Sequence, residues 1–252
     1  MNKGQATWVL SYAFLAYVFL SEVPQLSGLS VFSVQAAFVL LVVLYLASSF
    51  VNWGVEKASI FLFASWLISY AIEYTGVTTG YPFGSYAYTS AMGSFVGPVP
   101  VFIPFLWCAL GYFCLQATGP SMVAPALLMV LLDLSLDPLF SQSLWHWQST
   151  AGPYYYGVPA LNFVGWFVTA ILIFTFFMFA VREYRSGIKA NILVSGGSAA
   201  GVGFYLLFGV TTILYQLYSG LAGGAALTSV LYAVAGVYLW NKAKQQAVNY
   251  AL

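Results

Sequence analysis

Six acidic residues occur in a chain of 252, and three of them stand where chemistry is expected. Asp133 and Asp137 lie in the run Leu131-Leu-Asp-Leu-Ser-Leu-Asp-Pro138, and a spacing of four puts both carboxyls on one helical face. Glu73 ends another apolar stretch. Glu22, Glu56 and Glu183 fall at the ends of apolar spans, where water solvates them. A mid-membrane Asp costs roughly 2.5–3.5 kcal/mol on insertion scales, so such residues face an interior cavity. Burial and like-charge crowding favour a protonated carboxyl. A protonated acid can serve as general acid while an ionised neighbour positions water as base. Aromatic faces stabilise a developing cation by about 2 kcal/mol or more per desolvated contact. Acid, base, water and aromatic walls are the parts for adding water across an alkene. An interhelical hydrogen bond, or a helix cap tied to Pro138, is the plainer alternative for the two aspartates.

The elements that must position these groups are membrane helices. Hydrophobic residues make up 62% of the chain and charged residues 5%. Soluble domains carry roughly 25% charged residues, so this composition cannot build a water-facing surface. Apolar spans fall near 6–22, 30–52, 57–75, 98–118, 121–138, 160–182, 190–217 and 223–241, most with about the 20 residues that cross a hydrocarbon core. The fifth is short, holds the two aspartates and ends at Pro138, which suits a helix buried by its neighbours. With eight spans, Lys3, Lys57, Arg182, Arg185, Lys189, Lys242 and Lys244 all fall on one side. The positive-inside rule makes that side cytoplasmic, with both termini there. The expected fold is therefore an all-α polytopic bundle of about eight transmembrane helices, one integral membrane domain over 1–252, in the cell membrane of a prokaryote. The run after Lys3 resembles a signal peptide but lacks a clear cleavage site, and it reads as a retained first helix.

Two outer connections, 76–97 and 139–159, lack Lys and Arg and are dense in Gly, Pro, Tyr and Trp. That composition predicts ordered turns packed on the mouth of the bundle. No convincing internal repeat is evident. Gly197 and Gly201, like Gly220 and Gly224, have small-xxx-small spacing that permits close helix contact within the bundle or in a dimer. The spacing of Cys108 and Cys114 rules out a disulfide within a helix.

Several chemistries lose support. There is no Asp-Asp-x-x-Asp motif and no Lys or Arg deep in a span, so a pyrophosphate substrate has neither metal ligands nor cations. His146 is the single histidine, which excludes a multi-histidine metal site; flanked by Trp145 and Trp147, it reads as an interface residue. The two tryptophans read equally as membrane-belt anchors or as a lid over the mouth. No phosphate-binding glycine loop precedes a helix. A net charge of +1 gives no case for nucleic acid. Chemistry without cofactor or metal is the simplest enzyme left; its partners are the substrate and membrane lipid, and the oligomeric state is open.

Five blocks carry a family resemblance. They are Glu73-Tyr-Thr-Gly-Val-Thr-Thr-Gly-Tyr-Pro-Phe-Gly-Ser-Tyr-Ala-Tyr-Thr89, Val99-Pro-Val-Phe-Ile-Pro-Phe-Leu-Trp107, Leu132-Asp-Leu-Ser-Leu-Asp-Pro138, Trp145-x-Trp147 and Tyr155-Tyr-Gly-Val-Pro-Ala-Leu-Asn-Phe-Val-Gly-Trp166. In order across roughly 70–168, they resemble the CruF-type carotenoid hydratases, which include the bisanhydrobacterioruberin hydratases. The resemblance implies a membrane enzyme of carotenoid biosynthesis that hydrates a terminal isoprenoid double bond of an acyclic or monocyclic carotenoid to a tertiary alcohol. Joined to the burial and spacing of the acids, it makes Asp133, Asp137 and Glu73 the catalytic candidates. Tyr86, Tyr88, Trp107, Trp145, Trp147, Tyr155, Asn162 and Trp166 become candidate substrate-binding residues, with Asn162 orienting water. A proton-coupled transporter, a carotenoid-binding protein and a carotenoid cyclase are the rival readings.

Overall fold

The apolar spans fold as helices. The structure is a computed structural model that describes residues 9–10, 13–14, 34–141, 143–148, 152–185 and 199–249. Among them are seven helices: α1 (Val34–Trp53), α2 (Val55–Thr79), α3 (Phe102–Thr118), α4 (Val123–Phe140), α5 (Ala160–Arg185), α6 (Ala199–Tyr218) and α7 (Ala222–Asn249). Five, α2 and α4 to α7, are long and apolar enough to cross a membrane; α1 and α3 contain shorter apolar stretches. Large apolar side chains stay exposed on one face, as Val230, Val234 and Val237 do on α7. That stripe suits lipid, and the chain is a helical membrane protein. The expected first span, 6–22, lies outside the described residues except for 9–10 and 13–14.

The central element is α3. Every residue from Trp107 to Thr118 is buried, because α1, α2, α4 and α6 all pack against it. Gly201 of α6 allows one of these contacts: a Cβ there would lie 2.5 Å from the Gln116 backbone. Gly201 therefore serves packing within the bundle, whereas Gly197 lies outside the described residues. Cys108 and Cys114 are buried free thiols.

Two boundaries differ from the sequence reading in ways that matter. Helix α2 runs on to Thr79, ending at Gly80 in the left-handed conformation, so Glu73 sits inside a helix rather than at its end. Helix α4 runs through Pro138 to Phe140 instead of stopping there. Proline lacks the N–H that would bond the carbonyl four residues back, at Leu134. Gln216 of α6 supplies the missing donor: its Nε2 lies 3.3 Å from the Leu134 carbonyl oxygen and 3.0 Å from that of Ser135.

Both long connections form ordered β structure. Strand β1 (Tyr86–Tyr88) pairs antiparallel with β4 (Trp145–Trp147), in the register Tyr86 to Trp147, Ala87 to His146 and Tyr88 to Trp145. Two hairpins, β2 (Phe95–Val96) with β3 (Val99–Pro100), and β5 (Tyr154–Tyr155) with β6 (Val158–Pro159), lead directly into α3 and α5.

These elements disclose a repeat that the sequence reading did not find. Helix α2, strand β1, a hairpin ending in Val99-Pro100 and helix α3 make one unit. Helix α4, strand β4, a hairpin ending in Val158-Pro159 and helix α5 make the other. Seven residues after each of these prolines stands a tryptophan, Trp107 and Trp166. The β1–β4 ladder joins the units about its central pair, and α2 packs on α3 and α5 as α4 packs on α5 and α3. Only a few glycine, Val-Pro and tryptophan positions coincide, and the connections differ in length, so the linear sequence hides the relationship.

Candidate active site

Strand alternation puts Tyr86, Tyr88, Trp145 and Trp147 on one face of the ladder and exposes His146 on the other. The four aromatic rings interlock: Tyr86 lies 5.2 Å from Trp147 and Tyr88 6.3 Å from Trp145, centroid to centroid. Their polar ends point at carboxyls. The Tyr86 and Tyr88 hydroxyls donate to Glu73 Oε2 at 2.6 and 2.8 Å. Trp145 Nε1 donates to Asp137 Oδ1 at 2.7 Å, and Trp147 Nε1 to the same oxygen at 3.3 Å. The ladder is thus a lid tied to α2 at one side and α4 at the other. Burial, then the Glu73 charge, pushes both phenols well above the ordinary tyrosine range, so they remain donors at neutral pH.

Each of these carboxyls takes a third bond from the second helix of its own unit. Trp107 Nε1 of α3 donates to Glu73 Oε1 at 2.9 Å, and Asn162 Nδ2 of α5 donates to Asp137 Oδ2 at 2.7 Å. Asn162 Nδ2 also donates to Asp133 Oδ2 at 2.7 Å, so one amide bridges both aspartates. Among the described residues that amide is the one hydrogen-bond donor to Asp133. Glu73, Asp133, Asp137 and Asn162 are all buried. A carboxylate offers about four acceptor positions, so Glu73 and Asp137, with three bonds each, keep about one for a further donor.

The three carboxyls line one cavity of about 150 Å³. Of the candidates named from sequence, Tyr86, Tyr88, Trp107, Trp145, Trp147, Asn162 and Trp166 also line it. Trp107 and Trp166 lie against one another with centroids 4.3 Å apart. Tyr155 does not line the cavity; it packs on Tyr156 and Phe163. Asn162, expected to orient water, has its amide nitrogen committed to the two aspartates, which leaves its carbonyl oxygen as the atom able to meet a water.

Sequence reasoning missed Phe83 and the apolar wall. Phe83 is wedged between α2 and α5: a Cβ on Gly76 would lie 2.7 Å from its ring, and one on Gly165 2.5 Å. Its place in the Tyr-Pro-Phe-Gly turn was a usable signal. Phe38, Leu41, Leu110 and Phe208 carried none, because they are apolar residues within apolar helices. Among the described residues, no cluster of His, Cys, Asp and Glu could hold a metal ion.

No solved structure matches this chain. It is 32% identical over 137 residues to the bisanhydrobacterioruberin hydratase of Haloarcula japonica, an alignment covering 48% of this chain and 46% of that protein. The chain thus matches about half the length of this relative. The profile of the family described as "Carotenoid biosynthesis protein" matches residues 28–235, most of the chain. The chain belongs to the carotenoid biosynthesis protein family.

Proposed function

We propose that the cavity beneath the β1–β4 lid hydrates a terminal isoprenoid double bond of an acyclic or monocyclic carotenoid, giving a tertiary alcohol without a cofactor. The observation that carries this reading is the way Asp133 and Asn162 break the repeat. Glu73 and Asp137 are matched lid anchors, each holding three donors. At the position equivalent to Asp133, four residues before Glu73, stands Ser69, whose hydroxyl turns back to the Trp66 carbonyl. At the position equivalent to Asn162, three residues after Val99-Pro100, stands Ile103. The added carboxyl and added amide are hydrogen-bonded to each other and face the cavity. The name of the Haloarcula japonica relative supports hydration as the chemistry.

Protonated Asp133 accepts the Asn162 amide through its carbonyl oxygen and presents its O–H to the alkene. The proton moves to the less substituted carbon, the π pair forms the new C–H bond, and a tertiary cation remains. The faces of Trp107, Trp166 and Tyr86 shield that cation. A water held at the free acceptor position of Asp137 attacks, forming the C–O bond, and gives its second proton to Asp137. Return of that proton to Asp133 across the bridge region restores the starting state. Glu73 holds the lid and is the alternative base. An eight-span topology with both termini cytoplasmic and the lid at the outer face is part of the same proposal, supported by the single-sided placement of Lys and Arg.

Coexpression in cells that accumulate lycopene, followed by mass spectrometry of the pigments, tests the reading. Hydration adds the mass of one water and leaves visible absorption unchanged. A new retention time without a mass change would mean cyclisation instead.

A further inference from the structure

The cavity is shallow, and its depth can be measured along three helices. Its walls run from Ile103 to Leu110 on α3, from Asp133 to Phe140 on α4 and from Phe208 to Tyr215 on α6. Each stretch advances seven residues, about 10 Å at 1.5 Å per residue. At the end away from the lid, marked by Leu110, Asp133 and Phe208, the floor is made of aromatic rings, with Phe14 and Phe208 facing the cavity and others packed behind them. Phe113 stacks on Phe204 at 3.8 Å, Phe204 on Phe208 at 5.9 Å and on Phe14 at 6.1 Å, and Tyr112 contacts Phe113 and Tyr45 at 5.1 and 5.5 Å. Tyr45, Tyr112, Phe113 and Phe204 are fully or almost fully buried, so among the described residues these rings leave no opening between them.

A volume of about 150 Å³ is that of an apolar cavity that takes benzene, and sites that enclose drug-sized ligands run to roughly 300–1,000 Å³. A complete polyene cannot enter. With carbon–carbon bonds of about 1.5 Å, an extended chain advances roughly 5 Å per isoprene repeat, so a depth of about 10 Å holds two repeats. The groups assigned to the chemistry all lie within that depth.

Resting on the hydratase reading above, we propose that the site recognises only the last two isoprene units of its substrate, and that the protein therefore also hydrates ten-carbon acyclic isoprenoid hydrocarbons with a terminal trisubstituted double bond. Myrcene is such a molecule. Its terminal π bond breaks, Asp133 supplies the proton that forms the C–H bond, and water supplies the hydroxyl that forms the C–O bond. The second water proton passes to Asp137, and the product is the tertiary alcohol myrcenol.

The test uses the full-length protein in detergent, supplied in parallel with myrcene and with lycopene, and reads tertiary alcohols by mass spectrometry. The expected result is myrcenol as well as hydrated lycopene, both falling about a hundredfold or more in Asp133→Asn, the range for loss of a general acid. Hydrated lycopene with no myrcenol, and no slowing of lycopene hydration by excess myrcene, would overturn the two-unit proposal and leave the hydratase reading intact. Turnover of neither substrate would overturn both.

Discussion

Gln216 occupies the hydrogen-bonding position that Pro138 vacates. The proline removes the donor to the Leu134 carbonyl, one residue from Asp133, and the Gln216 amide reaches that oxygen and the next from the neighbouring helix. Its own carbonyl accepts from Thr228 of α7 at 2.9 Å, so Gln216 is held from both sides and fully buried. The turn bearing both aspartates is thereby pinned against α6 and α7.

Replacing Gln216 by Leu leaves two buried carbonyls without that donor. An unsatisfied buried polar group costs about 1–3 kcal/mol, so thermal unfolding in detergent should shift down by several degrees. Thr228→Val removes one bond and should shift it less. Equal stability of Gln216→Leu and wild type would show that the carbonyls find other donors.

Asn162 holds the two aspartates through one nitrogen. Asn162→Leu keeps the volume and removes the bridge, so turnover should fall by about 10²-fold, in the range of general acid–base contributions. Asn162→Gln keeps a donor amide and should retain more activity than Asn162→Leu. The check is product per hour from matched amounts of folded protein; equal rates for both variants would contradict the bridging role.

The lid depends on two glycines that face the same ring. A methyl group at Gly165 would overlap Phe83 at 2.5 Å, and one at Gly76 would meet Phe83 at 2.7 Å and the Tyr86 hydroxyl at 2.8 Å. Overpacking of this kind costs typically 1–3 kcal/mol. Gly76→Ala should therefore loosen the Tyr86 contact with Glu73, lowering stability and turnover together. Restoring room with Phe83→Leu in the same chain should recover part of both. No recovery in the double variant would mean that Phe83 is not what the new methyl meets.

The two lid tryptophans differ in their grip on Asp137. Trp145 bonds it at 2.7 Å and Trp147 at 3.3 Å. Trp145→Phe should reduce thermal stability more than Trp147→Phe, by about 1 kcal/mol for the stronger charge-assisted bond. The reverse order would place the main anchor at Trp147.

The helices were legible in the sequence because apolar runs leave no other way to satisfy the backbone in lipid. Asp133 and Asp137 were legible because a carboxyl in such a run needs a reason to be there. Less was visible of their partners. That Tyr86 and Tyr88 serve Glu73 while Trp145 and Trp147 serve Asp137 depends on β1 pairing with β4 across 59 residues, a register that no local pattern encodes. The end of α4 was misplaced because the donor that lets a helix pass Pro138 comes from Gln216, 78 positions away. Tyr155 belongs to a block of the family resemblance but follows its hairpin away from the cavity, toward Tyr156 and Phe163.

Addition of water is the central claim, and heavy-oxygen water tests it most directly. The purified protein is incubated with an acyclic carotenoid in water labelled with heavy oxygen, beside its Asp133→Asn variant, and the pigments are weighed by mass spectrometry. Hydration at this site predicts a tertiary alcohol carrying the heavy oxygen from the wild-type protein and almost none from Asp133→Asn. An unlabelled alcohol, an isomer of unchanged mass, or full labelling by the variant would contradict it.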